Sequence, residues 1–339
     1  MASARQLIAN RTDLFAPATA RSRFPWLTEH GQNCIVSPDA DGLLCGLFMS
    51  HHLGWKVRGF YDGKVLVCDH RVRAAECVFL DMEIYQAGVR SVGQHLLLYN
   101  KRKVLENWTN FDGCFSINNF RGYDENREFS LKYPFGTMHF LLAAVDGALP
   151  ITLPDSTVAP LLFIDGTYHN LFRYTENSLD WLRYLGITVP EIPLHRLFMQ
   201  DQHTIHKLMS LMDRFWEARD ALSIPVQRGD RIAITRRGGD GGPHNLELRP
   251  NGLYDFDTEA RLRGEAFLSL LAQATGWQYK PANWSWGSWR LSIFEKGRIE
   301  NLTIPKFDEL MASNPLSFAI TAGRRIEYTL DPQDLFEQA

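Results

Sequence analysis

Short runs of continuous apolar character, separated by stretches of helical spacing, dominate the first half of the chain. Residues 33–37 (NCIVS) form an apolar run, residues 42–52 (GLLCGLFMSHH) repeat at helical spacing, and residues 55–60 (WKVRGF) alternate. A strand, a helix and a strand therefore follow one another. Further strands are predicted at residues 64–68 (KVLVC), 77–80 (CVFL) and 95–99 (HLLLY), apolar almost throughout as strands covered on both faces are. The alternation of strand and helix predicts a parallel α/β sheet with crossover helices. Residues 107–133, rich in Asn, Gly, Asp and aromatic side chains, read as a long loop of the kind that covers a site. Helices are predicted at residues 136–145, 157–163 and 178–185.

The second half has a different pattern. Two prolines in ITVPEIPLH favour extended chain, and a long helix is predicted over residues 201–222. RIAIT and LEL flank the glycine-rich RRGGDGGPHN as two strands around a wide turn. A helix at 260–275 follows, then strands in WRLSIFEKG and LSFAIT. The expected organisation is an N-terminal arm (1–29), a parallel-stranded α/β domain (30–198), a helical connector (199–227) and a smaller α+β domain (228–339).

Composition narrows the classes of function. With 339 residues the chain exceeds a single small core. Its 36 basic against 39 acidic residues, net −3, provide no bulk positive field for a long duplex, so an anionic ligand must be held locally. Five cysteines (Cys34, Cys45, Cys68, Cys77 and Cys114) include no C-x-x-C pair and read as reduced core thiols. No apolar signal core or 18-residue apolar run occurs, which makes a cytoplasmic protein with no membrane partner the expectation.

Candidate chemistry gathers at strand ends. Ser37-Pro38-Asp39-Ala40-Asp41-Gly42 lies where the first strand gives way to the first helix, the position at which open parallel sheets bind ligands. Two carboxylates on that turn can face one hard cation or two; alternatively Asp41 is a helix N-cap and Asp39 a turn residue. Asp81 ends VFLD and Asp165 ends LLFID, and acidic groups that close apolar runs are costly unless paired or metal-bound. Gly93-Gln94-His95 adds an imidazole between them.

The order of these motifs resembles the DHH phosphoesterase superfamily, which includes RecJ-type exonucleases, nanoRNase-type oligonucleotide phosphodiesterases, cyclic-dinucleotide phosphodiesterases and family II pyrophosphatases. The resemblance runs from about residue 33 to 185. PDADG looks like the first motif, Leu80-Asp81 the second, Gly93-Gln94-His95 stands where D-H-H is expected, and FIDGTYHNLFRYTENSLDWLRYL resembles the fourth. Ser37 replaces the family's usual His or Asp, and Gly93 and Gln94 replace the Asp and first His of D-H-H. The resemblance implies Asp39, Asp41, Asp81 and Asp165 as ligands of one or two Mn²⁺ or Mg²⁺ ions. His95 and Asp81 are then the catalytic pair, and Ser37, Gln94 and His169 are placed beside the substrate. Arg236, Arg237, Gly239 and Gly241 are candidates to cradle phosphate. A phosphodiester in a nucleotide or short single-stranded oligonucleotide is the implied substrate. The alternative is a catalytically silent module of the same fold that binds nucleic acid or a protein partner.

Other features have plainer readings beside functional ones. His203 and His206 at i, i+3 suit a metal or a solvated helix face; His51-His52 suit a helix C-terminus; Asp69-His70 suits a surface turn. Trp284, Trp286 and Trp289 form either a stacking platform for bases or cross-strand packing.

Overall fold

This computed structural model describes residues 4–222, 232–236 and 241–331. Its strands are β1 (Asn33–Val36), β2 (Lys56–Tyr61), β3 (Val65–Asp69), β4 (Val78–Leu80), β5 (Arg90–Gly93), β6 (Cys114–Ser116), β7 (Leu246–Leu248), β8 (Tyr254–Phe256), β9 (Trp289–Ile293), β10 (Glu295–Ile299), β11 (Ser317–Ala322) and β12 (Arg325–Leu330). Nine of them form one sheet in the order β6-β5-β4-β1-β2-β3-β9-β8-β7, and β10-β12-β11 form a second. The run from β6 to β2 is parallel and the remainder antiparallel, so the chain is α/β with a mixed sheet around a parallel core.

The antiparallel turn at β3 has a local cause. Only Asp62, Gly63 and Lys64 link β2 to β3, and Asp62 Oδ1 accepts from both Lys64 N (3.0 Å) and Val65 N (2.9 Å). Three residues cannot carry a crossover, so KVLVC returns as a hairpin instead of adding a parallel strand. Two other expectations shift. The strand sought at 95–99 lies earlier, at β5, and residues 107–133 contribute β6 and several short helical turns. RIAIT makes no strand among the described residues; Thr235 forms an isolated bridge to Pro243.

The second half does not build its sheet apart from the first. β9, β8 and β7 extend the first sheet beyond β3, while WRLSIFEKG, expected as one strand, divides between β9 in the large sheet and β10 in the small one. Helix Thr258–Thr275 packs on helix Ala40–Leu53. The latter is buried on nearly every face, which explains an apolar sequence without one polar stripe. Trp284, Trp286 and Trp289 are 5%, 6% and 0% exposed; Trp286 and Trp289 pack around Phe60 and Phe256, and Trp284 stacks on Trp286. They are core, with no open face for stacking bases. All five cysteines are free and buried.

The first residues are fastened to the body. Arg21 Nη1 donates to Ala144 O at 3.0 Å, and Asp13 pairs with the buried Arg121, which also holds Asp180 at 2.7 Å and lies over the Trp181 ring. Among the described residues no helix is long and apolar enough to cross a membrane.

His139, on helix Thr137–Val145, is buried against the rings of Phe135 and Phe198. Burial pushes its pKa down to about 4, against hydrogen bonding to Gly136 and Leu161. The unfolded chain takes up a proton below its ordinary value near 6.5, and the folded ring does so only below about 4. Stability should therefore fall as pH drops through that window, by roughly 2–3 kcal/mol from this residue. Urea denaturation at about pH 7.5 and about pH 4.5 tests this: His139→Phe should lose less stability than the parent between the two, and an equal loss contradicts the assignment.

Candidate active site

Three adjacent parallel strands, β1, β4 and β5, deliver the candidate residues at their carboxyl ends. From β1 the chain moves to β2 on one side and later to β4 on the other, so a topological switch point lies between β1 and β4. A crevice opens at such a point beyond the strand ends. Val36 pairs with Leu80, and Leu80 with Val92, so the turns that follow begin at the same level.

Asp39 is the N-cap of helix Ala40–Leu53, accepting from Gly42 N at 3.1 Å. The capping role expected as an alternative for Asp41 thus falls to Asp39. Asp41 instead points away from its own helix and caps another: its oxygens accept from Thr137 N (2.5 Å) and Met138 N (3.0 Å), the first amides of helix Thr137–Val145. A Cβ on Gly136 would lie 2.8 Å from Asp41 Oδ2, so this approach requires glycine.

Asp81 follows β4 with φ of +61°, and Asp165 has φ of +49°. Both are left-handed, a conformation that costs a non-glycine residue and persists where the surroundings enforce it. Asp81 is buried; its Oδ1 accepts from Thr137 Oγ1 at 2.7 Å and its Oδ2 has no hydrogen-bond partner. Asp165 is exposed, in the turn after helix Val158–Phe163. Its Oδ2 accepts from the Gln94 amide, which also lies 3.3 Å from His95 Nε2. Asp81, His95 and Asp165 each offer a ligand atom within 4.8 Å of one another.

Electrostatics ties all four aspartates together. Burial, then the charges of Asp165 and Asp39, hold the pKa of Asp41 well above the ordinary carboxylate range. Asp81 is raised in the same way by burial and by Asp41, Asp39 and Asp165. Clustered carboxylates in a poorly solvated place resist full ionisation unless a cation joins them.

Glu83, two residues beyond Asp81, is a side chain of the candidate site that motif reading missed. It is 1% exposed; Oε1 accepts from Leu96 N at 3.0 Å and Oε2 lies 3.3 Å from His95 Nδ1. Burial disfavours the charged His95 ring, but the hydrogen bond and charge of Glu83, with Asp165, outweigh it and lift the pKa to about 9. Gly93 makes this possible. A Cβ there would lie 2.5 Å from the Glu83 carboxyl group, so the carboxylate fills the space that a side chain at the first place of D-H-H would enter. The only signal in the sequence is the acidic residue in LDMEIY, two positions after the motif aspartate.

Two cavities meet at His95. A small one of about 150 Å³ runs from Ser37, Asp39, Asp81 and Glu83 to β11 and β12 of the small sheet. A larger one, about 420 Å³, adjoins Gln94, His95 and Asp165. His169 is exposed on helix Thr167–Arg173 and lines neither cavity. Arg236 is exposed, with its backbone N–H on Gly242 O at 2.8 Å, and Gly241 lies against the Lys64 side chain. Neither reaches the acidic cluster, while Arg237 and Gly239 fall outside the described residues.

The remaining metal candidates do not assemble. His203 precedes helix Ile205–Asp220 and approaches Leu197 O at 3.0 Å, so it shares no helix face with His206. His51 Nδ1 accepts from Gln278 N at 2.9 Å, and burial lowers the pKa of both His51 and His52. Asp69, at the end of β3, is buried against Arg71 and Arg58.

Compared with known proteins, the chain matches no family model, no curated protein and no solved structure.

Thr137→Val removes the hydrogen bond to Asp81 while keeping the shape of the side chain. Both oxygens of a buried carboxyl then lack their partner, a loss of about 1–3 kcal/mol. Urea unfolding of metal-free protein should show it, and unchanged stability would mean that Thr137 does not support Asp81.

Proposed function

We propose that the protein is a metal-dependent phosphoesterase of the DHH type that hydrolyses a phosphodiester in a nucleotide or short single-stranded oligonucleotide. The observation that carries this reading is that Asp81, His95 and Asp165 each offer a ligand atom within 4.8 Å of one another, with the charges of Asp39 and Asp41 bearing on the same group. The donor set fits a divalent cation: oxygen-rich, with one imidazole and with Asp81 Oδ2 buried and unpartnered. Asp39, Asp41, Asp81 and Asp165 would hold one or two ions, and the imidazole favours Mn²⁺ over the harder Mg²⁺. Such an ion supplies Lewis acidity toward a phosphoryl group and activates water at neutral pH.

The chain's own residues have distinct tasks under this reading. Asp81 sits among the other three carboxylates and brings their charges to one point. Thr137 fixes its Oδ1, leaving Oδ2 for the ligand. Glu83 sets the orientation of His95 through Nδ1, so that Nε2 is the nitrogen beside Gln94 and Asp165. A carboxylate behind a ligating histidine raises its basicity and locks its ring.

One observation favours a catalytically silent module that binds nucleic acid or protein instead. Gln94 stands where the family has a histidine, and its amide already satisfies an oxygen of Asp165. In that account an amide replaces part of the cation's work.

Calorimetry on a metal-stripped sample separates the two. Mn²⁺ should bind with measurable heat, and a panel of dinucleotides, cyclic dinucleotides, short single strands and pyrophosphate should show Mn²⁺-dependent hydrolysis of a nucleotidic member. Asp81→Asn should abolish both, and Asp39→Asn should be severe. Absence of heat with either ion at millimolar concentration, or hydrolysis persisting unchanged in Asp81→Asn, would discard the mechanism.

Glu83→Gln tests the orienting role by itself. Metal affinity should fall about 10–100-fold while the fold survives, as judged by thermal denaturation beside the titration. A variant that binds Mn²⁺ like the parent would remove Glu83 from the site.

A further inference from the structure

The 420 Å³ cavity has the size and chemistry for an organic phosphate, whereas the 150 Å³ cavity does not. Small-molecule sites span roughly 300–1,000 Å³. Its lining includes Asp165 of the acidic cluster together with Lys132, Tyr174, Phe129 and Asn177. Lys132 Nζ donates to Ile320 O at 3.0 Å, which occupies one of its three N–H donors. Burial lowers its pKa to about 8, and the charges of Glu83 and Asp165 act against that lowering. Asn177 Nδ2 donates to Lys132 O at 2.8 Å and fixes the backbone that carries the lysine. Tyr174 is 45% exposed, an aromatic surface at the cavity that the protein's own packing leaves partly uncovered.

We propose that this cavity is the nucleoside-monophosphate subsite: Lys132 holds the phosphate against the acidic cluster, and Tyr174 receives the base. The proposal rests on the phosphoesterase reading and deepens it, because it selects a nucleotidic substrate over pyrophosphate, which has nothing to place against an aromatic ring. A flat ring stacks on an exposed aromatic side chain without regard to sequence, and a half-buried ammonium with free donors forms charge-assisted hydrogen bonds to phosphate. The geometry joins the two functions in one cavity next to Asp165.

The test measures binding of 5′-AMP, inorganic phosphate and adenosine to the full chain equilibrated with Mn²⁺. AMP should bind about tenfold or more tightly than phosphate or adenosine. Lys132→Gln should weaken AMP and phosphate alike, by about tenfold. Tyr174→Ala, a surface substitution that leaves folding intact, should weaken AMP by about tenfold and phosphate by less than about twofold. AMP binding no tighter than phosphate, or AMP affinity unchanged in either variant, overturns the subsite. Mn²⁺-dependent hydrolysis by Asp81→Asn is followed in parallel. Persisting hydrolysis there defeats the phosphoesterase mechanism while leaving the AMP measurements to decide the subsite on their own.

Discussion

Asp41 places its carboxylate on the first two amides of helix Thr137–Val145, and Thr137 from that same helix turn binds Asp81. These contacts join two strand ends to one helix N-terminus. Carboxylates carried out of water need donors, and the N–H groups and the hydroxyl of that turn supply them. The helix is thereby fixed over the crevice, and Gly136 is required because the approach leaves no volume for a side chain. Satisfaction is incomplete all the same. Asp81 Oδ2 has no hydrogen-bond partner, and burial, with mutual repulsion added, raises the pKa of both Asp41 and Asp81. A fold meant only to be stable would more readily place apolar groups here. The retained cost is what supports a functional reading of the cluster.

The parts of this arrangement that could be read from the sequence are those set by local pattern. An apolar run ending in an acidic residue marks a strand terminus whether or not the partner strands are known, and this located Asp39, Asp41 and Asp81 from SPDADG and VFLD. The acidic end of an apolar run also located Asp165, and the segment before it is helical, as expected over 157–163. What escaped depends on pairing and on distance in space. The hairpin at β3 follows from a connection too short to cross over, and β9 joins the sheet by pairing with β3, more than 200 residues earlier in the chain. Residue pattern also could not place WRLSIFEKG in two sheets, since alternation is the same on either side of Phe294.

Under the proposed reading, Gly93, Gln94 and His95 stand where D-H-H is expected, and the two departures from it differ in kind. In three dimensions the missing side chain leaves room for Glu83, which reaches in from the end of β4 and holds His95. A carboxylate is therefore present beside the imidazole, supplied by a neighbouring strand. The change at Gln94 differs, because an amide offers donors to Asp165 where a histidine would offer a lone pair. Gly93 therefore does not argue for a silent site, whereas Gln94 does, and the two departures should not be counted together.

Charge then constrains what can enter. The chain is net −3 and the crevice concentrates acidic groups, so a bare phosphate would be repelled from the strand ends without a cation to receive it. Lys132 and Asp165 both line the larger cavity, where a positive group can bridge an anionic ligand and an acidic wall. Arg236, expected to grip phosphate from the glycine-rich segment, lines neither cavity. Lys132, on the segment between β6 and helix Thr137–Val145, lines the larger cavity and donates to a carbonyl of β11. The small sheet thus forms a wall of the smaller cavity and holds that ammonium, so under the proposed reading its strands bear on ligand binding even though no member of the acidic cluster comes from them.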